Sequence, residues 1–174
     1  QFSNFFGEKT LFQNTILRFI DSSKFAWPII IGNHEHRFII ASQIQELNIK
    51  VQAIILEPTS KNTAGAIISA SQYILDNFGG DSLALICPAD HYIEDSLEFV
   101  TKIFNGKEIA KKNHILTFGI KPSHAETGYG YILISKNINQ PVLFRNSNEG
   151  CAGFIVPMVN LGTTNIIDAN GNTV

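Results

Sequence analysis

The chain has 174 residues, 44% of them hydrophobic, and a formal net charge of −2. This length indicates one domain, or one domain with part of another, with enough apolar residues for a buried core. Lysines and arginines are scattered, which argues against a nucleic-acid-binding protein, and no apolar run approaches the roughly 20 residues of a membrane-spanning helix. Because no signal-peptide pattern is visible either, we expect a cytoplasmic protein without nucleic-acid or membrane partners.

Apolar periodicity predicts alternating helices and strands over the first three quarters of the sequence. The spacing predicts helices over residues 10–20, 34–47, 63–77 and 95–112. Short apolar, β-branched runs predict strands over residues 28–31, 51–56, 83–87 and 115–120. We therefore expect an α/β fold of the Rossmann-like kind, with a mostly parallel central sheet and helices on both faces.

Two of these helices have recognisable start signals. Thr10 is a suitable N-cap for the first helix and Asn33 for the second. The apolar face expected for the second helix comprises Phe38, Ile40, Ala41, Ile44 and Leu47.

The pattern changes near residue 134. Helical periodicity ends, asparagines become frequent, and β-like pieces appear at residues 142–144, 154–156 and 165–167, with a turn at residues 168–172. We predict an α/β domain over residues 1–134 and a β-rich C-terminal extension over residues 135–174.

The segment from Glu57 to Ala64 follows one predicted strand and opens a predicted helix. Pro58 stops the strand, Asn62 or Thr63 can cap the helix, and small residues keep its first turn narrow. A flat ligand such as a nucleobase can therefore approach the backbone, with Asn62 reading its edge. A well-capped loop without any ligand explains the same residues.

A second segment, Pro88-Ala89-Asp90-His91, stands at the end of the next predicted strand. Ligands bind at this edge of an open parallel sheet, and an exposed Asp90 carboxylate suits Mg²⁺ shared with phosphates. The alternative is an aspartate that caps the turn before the next helix or faces water. We expect His91 to be a packing or hydrogen-bonding neighbour rather than a ligand.

A third segment, Thr127-Gly128-Tyr129-Gly130-Tyr131, places two glycines among aromatic residues. Glycines let a ligand approach the main chain, and main-chain amides beside an aromatic face suit a sugar. A β-bulge or a turn with positive φ accounts for the same pattern.

Two other patterns favour structural roles. His34 and His36 would point to different faces of a helix and so would not chelate one metal together, whereas Glu35 in a first helical turn fits a helix N-terminus. Cys87 lies in a strand-like run, where a buried thiol acts as a small hydrophobe, and neither it nor Cys151 belongs to a CxxC pair.

Five segments together resemble the sugar nucleotidyltransferases, specifically the mannose-1-phosphate guanylyltransferases, including forms fused to a phosphomannose isomerase. The resemblance runs from Gln1 to about Ile132. Its segments are Gln1-Phe2 with Gly7 to Thr15, Asn33 to Phe38, Glu57-Pro58-x-x-Lys61-Asn62-Thr63-Ala64, Pro88 to His91, and Glu126 to Ile132. Each is weak alone, and their shared order and spacing make the resemblance specific.

The resemblance implies transfer from GTP to mannose 1-phosphate, which gives GDP-mannose and pyrophosphate with Mg²⁺ as the cofactor. It implies nucleotide binding by Glu57, Asn62, Thr63, Ala64, Pro88 and Ala89. It makes Asp90 the catalytic, metal-carrying residue and places Thr127, Gly128, Tyr129 and Gly130 along the sugar. The sugar phosphate would attack the α-phosphorus in line, so positioning and charge stabilisation carry the reaction.

Two departures from the family pattern qualify this expectation. The family's glycine-rich loop, the lysine of its Pro-Lys-Gln-Phe motif and the first strand of its sheet would precede Gln1. A Val-Glu-Lys-Pro segment and the later metal-binding aspartate are not found after Ile132. We therefore expect a fragment that is catalytically impaired on its own.

Two alternatives stay open at this stage. One is a non-catalytic module that binds a sugar nucleotide, and the other is a related transferase with another base or sugar. The oligomeric state, a homodimer included, is also left open by the sequence.

Overall fold

A computed structural model of the chain describes residues 1–4, 7–59, 62–112, 114–119, 131–133, 143–145 and 151–157. Every helix and strand predicted before residue 120 is present, with bounds shifted by a few residues. The elements are α1 Leu11–Leu17, β1 Ile29–Asn33, a 3₁₀ helix His34–His36, α2 Arg37–Leu47, β2 Ala53–Glu57, α3 Asn62–Phe78, β3 Leu83–Ile86, α4 Ser96–Ala110, β4 Leu116–Gly119, β5 Tyr131–Leu133, β6 Leu143–Arg145 and β7 Cys151–Pro157.

The strands form both parallel and antiparallel pairs. β1 and β2 are parallel and in register from Ile29 opposite Ala53 to Asn33 opposite Glu57. β7 lies between β3 and β4 and is antiparallel to both, and β5 pairs with β6 antiparallel. The expectation of a mostly parallel sheet is thus confirmed for β1 and β2 but misses β7, because a pairing so distant along the chain leaves no local signal.

The later β-like pieces have different outcomes. Those predicted at residues 142–144 and 154–156 coincide with β6 and β7. The piece at residues 165–167 and the turn at residues 168–172 lie outside the described residues. The division of the chain at residue 134 stays a prediction.

Helices cover both faces of β3. Ala84 and Ile86 pack with Ile74 of α3, whereas Leu83 and Leu85 pack in the cluster built around α4. Because successive side chains of a strand point to opposite faces, α3 and α4 lie on opposite sides of this strand. The expected arrangement of helices on both faces is therefore confirmed here.

The start of α1 is fixed by a capping box. The hydroxyl of Thr10 accepts a hydrogen bond from the N–H of Gln13 at 3.1 Å, and the Gln13 side chain accepts one from the N–H of Thr10 at 3.1 Å. The Thr10 hydroxyl also donates to the side-chain oxygen of Gln43 in α2 at 2.8 Å. One buried residue thus ends the preceding loop and ties α1 to α2.

The helical segment after β1 begins as predicted but buries a narrower face. Asn33 caps the 3₁₀ helix by accepting from the N–H of Glu35 at 2.8 Å. Ile40 and Ile44 are buried in α2, whereas Phe38 is 72% exposed and carries the Arg37 guanidinium 4.2 Å from its ring centroid. Phe38 and Ala41 were wrongly placed on the buried face, since both are exposed. Phe38 lies well away from Ile40 and Ile44 around the helix, and Ala41 lies at the edge of the face that they form.

Two apolar clusters form most of the described core. One joins α1, β1 and α2 through Phe12, Ile16, Ile30, Ile40 and Ile44. The other centres on α4 through Phe99, Ile103 and Ala110. Among the described helices, none has the length and apolar character needed to cross a membrane.

Candidate active site

Two strands bring polar residues to one edge of the sheet. β1 ends at Asn33 and β2 ends at Glu57, and these two residues are partners in the parallel register. Glu57 is half-buried, and a methyl group placed on Gly65 would lie 3.4 Å from its Oε1. The Glu57 carboxylate therefore lies against the first turn of α3, the positive end of that helix dipole.

The N-terminal turn of α3 is open to solvent. Asn62 begins the helix with φ of 59°, a left-handed conformation that asparagine tolerates better than most residues. Asn62, Thr63 and Ala64 are all exposed. Since the first N–H groups of a helix have no intrahelical acceptor, this turn offers donors to a ligand. Asn62 is thus the first helical residue, and the preceding residues 60 and 61 lie outside the described part.

In the segment after β3, an exposed carboxylate follows a residue that packs against the core. Ala89 is half-buried and packs against the cluster that contains Ile30 and Ile40, whereas Asp90 is exposed. Asp95, not Asp90, caps α4, because its side chain accepts from the N–H of Glu98 at 2.8 Å. Asp90 makes no such hydrogen bond with a described residue, so of its two structural alternatives the exposed side chain fits the one in which it faces water.

The structure brings part of the predicted nucleotide site together. Thr63, Pro88, Ala89 and Asp90 line one cavity of about 680 Å³. The side chains of Thr63 and Asp90 form no hydrogen bond or ion pair with any described residue, so both are available to a ligand.

The other predicted site residues are not all placed around this cavity. Glu57 at the end of β2 does not line it, and neither do Asn62 and Ala64 at the start of α3. The predicted sugar residues Thr127, Gly128, Tyr129 and Gly130 lie outside the described residues. Their role stays a prediction.

Magnesium fits Asp90 as one ligand of an otherwise open coordination shell. Within the described residues, no group of three or more histidine, cysteine, aspartate or glutamate side chains is placed to hold a metal. Mg²⁺ commonly takes one or two carboxylates, keeps several waters and shares substrate phosphates. The single exposed carboxylate of Asp90 is compatible with Mg²⁺ that is also bound by water and substrate phosphates. It is not compatible with a site in which protein side chains supply every ligand.

The residue before Pro88 is a neutral, half-buried thiol. Burial raises the pKa of Cys87 to about 12, and the charge of Arg18 offsets this only in part. Burial in turn lowers the pKa of Arg18. Cys87 packs with Phe99 and Phe118 in the α4 cluster, so its predicted role as a small hydrophobe is confirmed.

Sequence reasoning overlooked Arg18. Its Nε donates to the hydroxyl of Ser96 at 3.3 Å, 78 positions further along the chain, which links the end of α1 to the start of α4. Nothing local to Arg18 distinguishes it from a solvent-exposed arginine on a helix.

The fold, together with the segments that follow β2 and β3, indicates the class of enzyme to which this protein belongs. The nucleotidyl transferase family matches residues 2–142. The chain therefore belongs to the nucleotidyl transferase family.

Within that class, several similar sequences carry a more particular name. The chain is 39% identical over 132 residues to a mannose-1-phosphate guanylyltransferase of Sinorhizobium fredii, which covers 76% of the chain and 26% of that protein. It is 42% identical over 133 residues to the mannose-1-phosphate guanylyltransferase RfbM of Salmonella typhimurium, covering 76% of the chain and 28% of the relative. The resemblance found in the sequence is thus confirmed, and the chain spans roughly a quarter of the length of these relatives.

Two solved structures share the fold. One, described as mannose-6-phosphate isomerase from Helicobacter pylori, has a TM-score of 0.74 at 24% identity, covering 91% of this chain and 65% of that one. Another, described as mannose-1-phosphate geranyltransferase from Thermus thermophilus, has a TM-score of 0.71 at 20% identity, covering 88% and 49% respectively. At these identities the likeness supports the fold alone.

Proposed function

We propose that this chain forms the nucleotide-binding part of an enzyme that transfers a guanylyl group from GTP to mannose 1-phosphate. The observation that carries the proposal is the meeting of Thr63 with Pro88, Ala89 and Asp90 around one cavity. The names of the relatives supply the reaction, since those at 39% and 42% identity are mannose-1-phosphate guanylyltransferases. A non-catalytic binding module is not favoured by these relatives.

The reaction exchanges one phosphoanhydride bond for another. An oxygen of mannose 1-phosphate forms a bond to the α-phosphorus of GTP, the bond between the α- and β-phosphates breaks, and pyrophosphate leaves. Magnesium, when bound, would neutralise phosphate charge during this exchange. Asp90 would hold that cation, because its carboxylate is exposed at the cavity and unpaired among the described residues.

The remaining residues would bind and orient the nucleotide. The exposed Asn62 side chain and the free N–H groups at the start of α3 would read the edge of the base. The carboxylate of Glu57, held against the same helical turn, would accept hydrogen bonds from base nitrogens. Thr127 to Gly130 would contact the sugar, as the family resemblance implies.

A thermal-shift titration tests the nucleotide specificity. GTP, GDP-mannose, UTP and dTTP are added to the chain with and without Mg²⁺. A ligand at about 100 times its Kd stabilises the fold by roughly 2.7 kcal/mol, so GTP and GDP-mannose should raise the Tm and the other two should not. Equal shifts with all four, or a shift with UTP alone, would overturn the guanosine assignment.

A further inference from the structure

The carboxylate to which we assign Mg²⁺ lies in a segment without regular secondary structure. Residues 87–95 connect β3 to α4 and belong to no helix or strand. The side chain of Asp90 is exposed and makes no hydrogen bond or ion pair with a described residue. The position of this carboxylate therefore depends on how the backbone of the connection 87–95 is held.

Apolar contacts join α1 to both ends of this connection. Near its beginning, Ala89 packs against the cluster that contains Phe12 and Ile16 of α1. At its other end, the ring of Phe19, just beyond α1, lies with its centroid 6.3 Å from that of Phe99 near the start of α4. The connection that carries the carboxylate thus runs between two points of contact with α1.

A polar contact strengthens the second of these points. Arg18, the C-cap of α1, donates from Nε to the hydroxyl of Ser96, the first residue of α4, at 3.3 Å. The two residues are 78 positions apart. Since Ser96 directly follows the connection, this bond fixes the end of the connection relative to α1.

The surroundings of Arg18 differ from those of an ordinary surface arginine. Arg18 is half-buried, and burial lowers the pKa of its guanidinium. Its charge is close enough to Cys87, the first residue of the connection, to oppose the rise of the thiol pKa. Among the described residues, no carboxylate forms an ion pair with Arg18. Burial of an unpaired cation is unfavourable, so the bond to Ser96 is better explained by what it holds in place.

Arg18 is not placed to touch a ligand in the cavity. Asp90 lines the cavity of about 680 Å³, whereas Arg18 does not. Any effect of the guanidinium on a bound cation therefore passes through the connection 87–95. Hydrogen bonds outside the ligand set commonly orient the groups that bind a metal.

We propose that Arg18 is a positioning residue for Asp90. Its hydrogen bond to Ser96 ties the end of the connection 87–95 to α1 and so holds the Asp90 carboxylate where it meets Mg²⁺ at the cavity. This role rests on the function proposed above and includes no contact of Arg18 with the nucleotide or the metal.

Hydrogen exchange of the chain without any ligand tests the structural half of the proposal. Ser96→Ala removes the acceptor at an exposed position, and Ser96→Thr keeps a hydroxyl there. In Ser96→Ala the amides of residues 89–95 should exchange about tenfold faster, because the lost hydrogen bond has a charged donor. Ser96→Thr should exchange like the unaltered chain, and the amides of β1 and β2 should not change in either variant.

The affinity for GDP-mannose, measured by calorimetry with and without Mg²⁺, tests the functional half. Arg18→Met and Ser96→Ala should each reduce the gain in affinity that Mg²⁺ gives by about tenfold and leave the affinity without Mg²⁺ unchanged. The double variant should lose no more than either single variant, because both remove the same bond. Lys107→Met removes an exposed positive charge from α4 and is the control, which should keep the full gain.

Three results would overturn the role of Arg18. One is unchanged exchange of residues 89–95 in Ser96→Ala. Another is an equal loss of affinity with and without Mg²⁺, which would mean that the bond only stabilises the fold. The third is the same loss in Ser96→Thr as in Ser96→Ala. If the unaltered chain gains no affinity from Mg²⁺, the metal role of Asp90 fails, and the positioning role fails with it whatever the exchange shows.

Discussion

The cavity of this protein has two chemically different regions. Its rim, at the carboxyl ends of the strands, presents Thr63 and Asp90 with side chains unpaired among the described residues. Its interior, between β1 and β3, is walled by isoleucine, leucine and alanine. The rim suits a polar, phosphate-bearing ligand, whereas the interior is mostly apolar.

The two regions differ because the interior residues pack in the core, whereas the rim residues are exposed. The interior residues belong to strands and helices that carry the packing, and their loss costs hydrophobic free energy. The rim residues follow the ends of strands, where side chains contribute little to packing and are available for binding. Substitutions should therefore separate stability from ligand binding.

The largest expected effect lies in the interior cluster. Ile40 is 1% exposed and packs with Phe12, Ile16 and Ile30. Ile40→Ala should lower the free energy of unfolding by about 2 to 5 kcal/mol, because it removes buried methyl groups and leaves a cavity. Urea denaturation measures this change.

The matched control for that variant is Ile68→Ala on α3, where the side chain is 64% exposed. Its effect should stay within about 0.5 kcal/mol. Equal losses in the two variants would contradict the placement of the core.

Cys87 gives the interior a pH dependence. Its folded pKa, about 12, lies above its ordinary value of 9.0 because of burial. A raised folded pKa contributes stability that is complete below about pH 9 and is lost as the pH rises towards 12. The wild-type chain should therefore lose more stability than Cys87→Ala between pH 8 and pH 11 in parallel denaturant titrations.

Alkylation of the same thiol provides an independent check. In a Cys151→Ser background, iodoacetamide at pH 8 should label Cys87 far more slowly in the native chain than in urea. Rapid native labelling would show that the thiol is accessible and would remove the basis of the pH prediction.

The unpartnered hydroxyl of Thr15 predicts a smaller effect of opposite sign. Thr15→Val replaces that hydroxyl by a methyl group of similar size and should stabilise the chain alone by about 1 kcal/mol, because an unsatisfied buried hydroxyl costs about 1 to 3 kcal/mol. Thermal denaturation measures the gain. A loss of stability in Thr15→Val would show that the hydroxyl has a hydrogen-bond partner.

The smallest effect on stability is expected at the rim. Asp90→Asn should change the free energy of unfolding by no more than about 0.5 kcal/mol, since the side chain is exposed and unpaired among the described residues. It should nevertheless abolish the Mg²⁺-dependent part of the Tm increase with GTP. Asp81→Asn, an exposed aspartate just before β3, is the control and should retain that increase.

Local signals explain which features could be predicted from the sequence. The Thr10 cap with Gln13 three residues later, the Asn33 cap and the alternation of helices with apolar strands each depend on neighbouring residues. The same pattern predicts that strands end at Glu57 and just before Pro88. These strand ends mark the two described segments of the candidate site.

Features that depend on distant pairing could not be predicted in the same way. The place of β7 between β3 and β4 depends on contacts across more than 30 residues. The link from Arg18 to Ser96 and the cavity lined by β1 and β3 likewise exist only once the chain has folded. Phe38 shows a different source of error. It was assigned to the buried face of α2 because its side chain is apolar, although its position on the helix places it on the exposed side.

Hydrogen exchange with GDP-mannose and Mg²⁺ tests the division of the cavity most directly. The account predicts that this ligand protects the amides of residues 62–65 and 88–90 at the rim and leaves the amides of β1 and β3 exchanging as in the free chain. Protection confined to β1 and β3, or none at residues 62–65 and 88–90, would contradict the account.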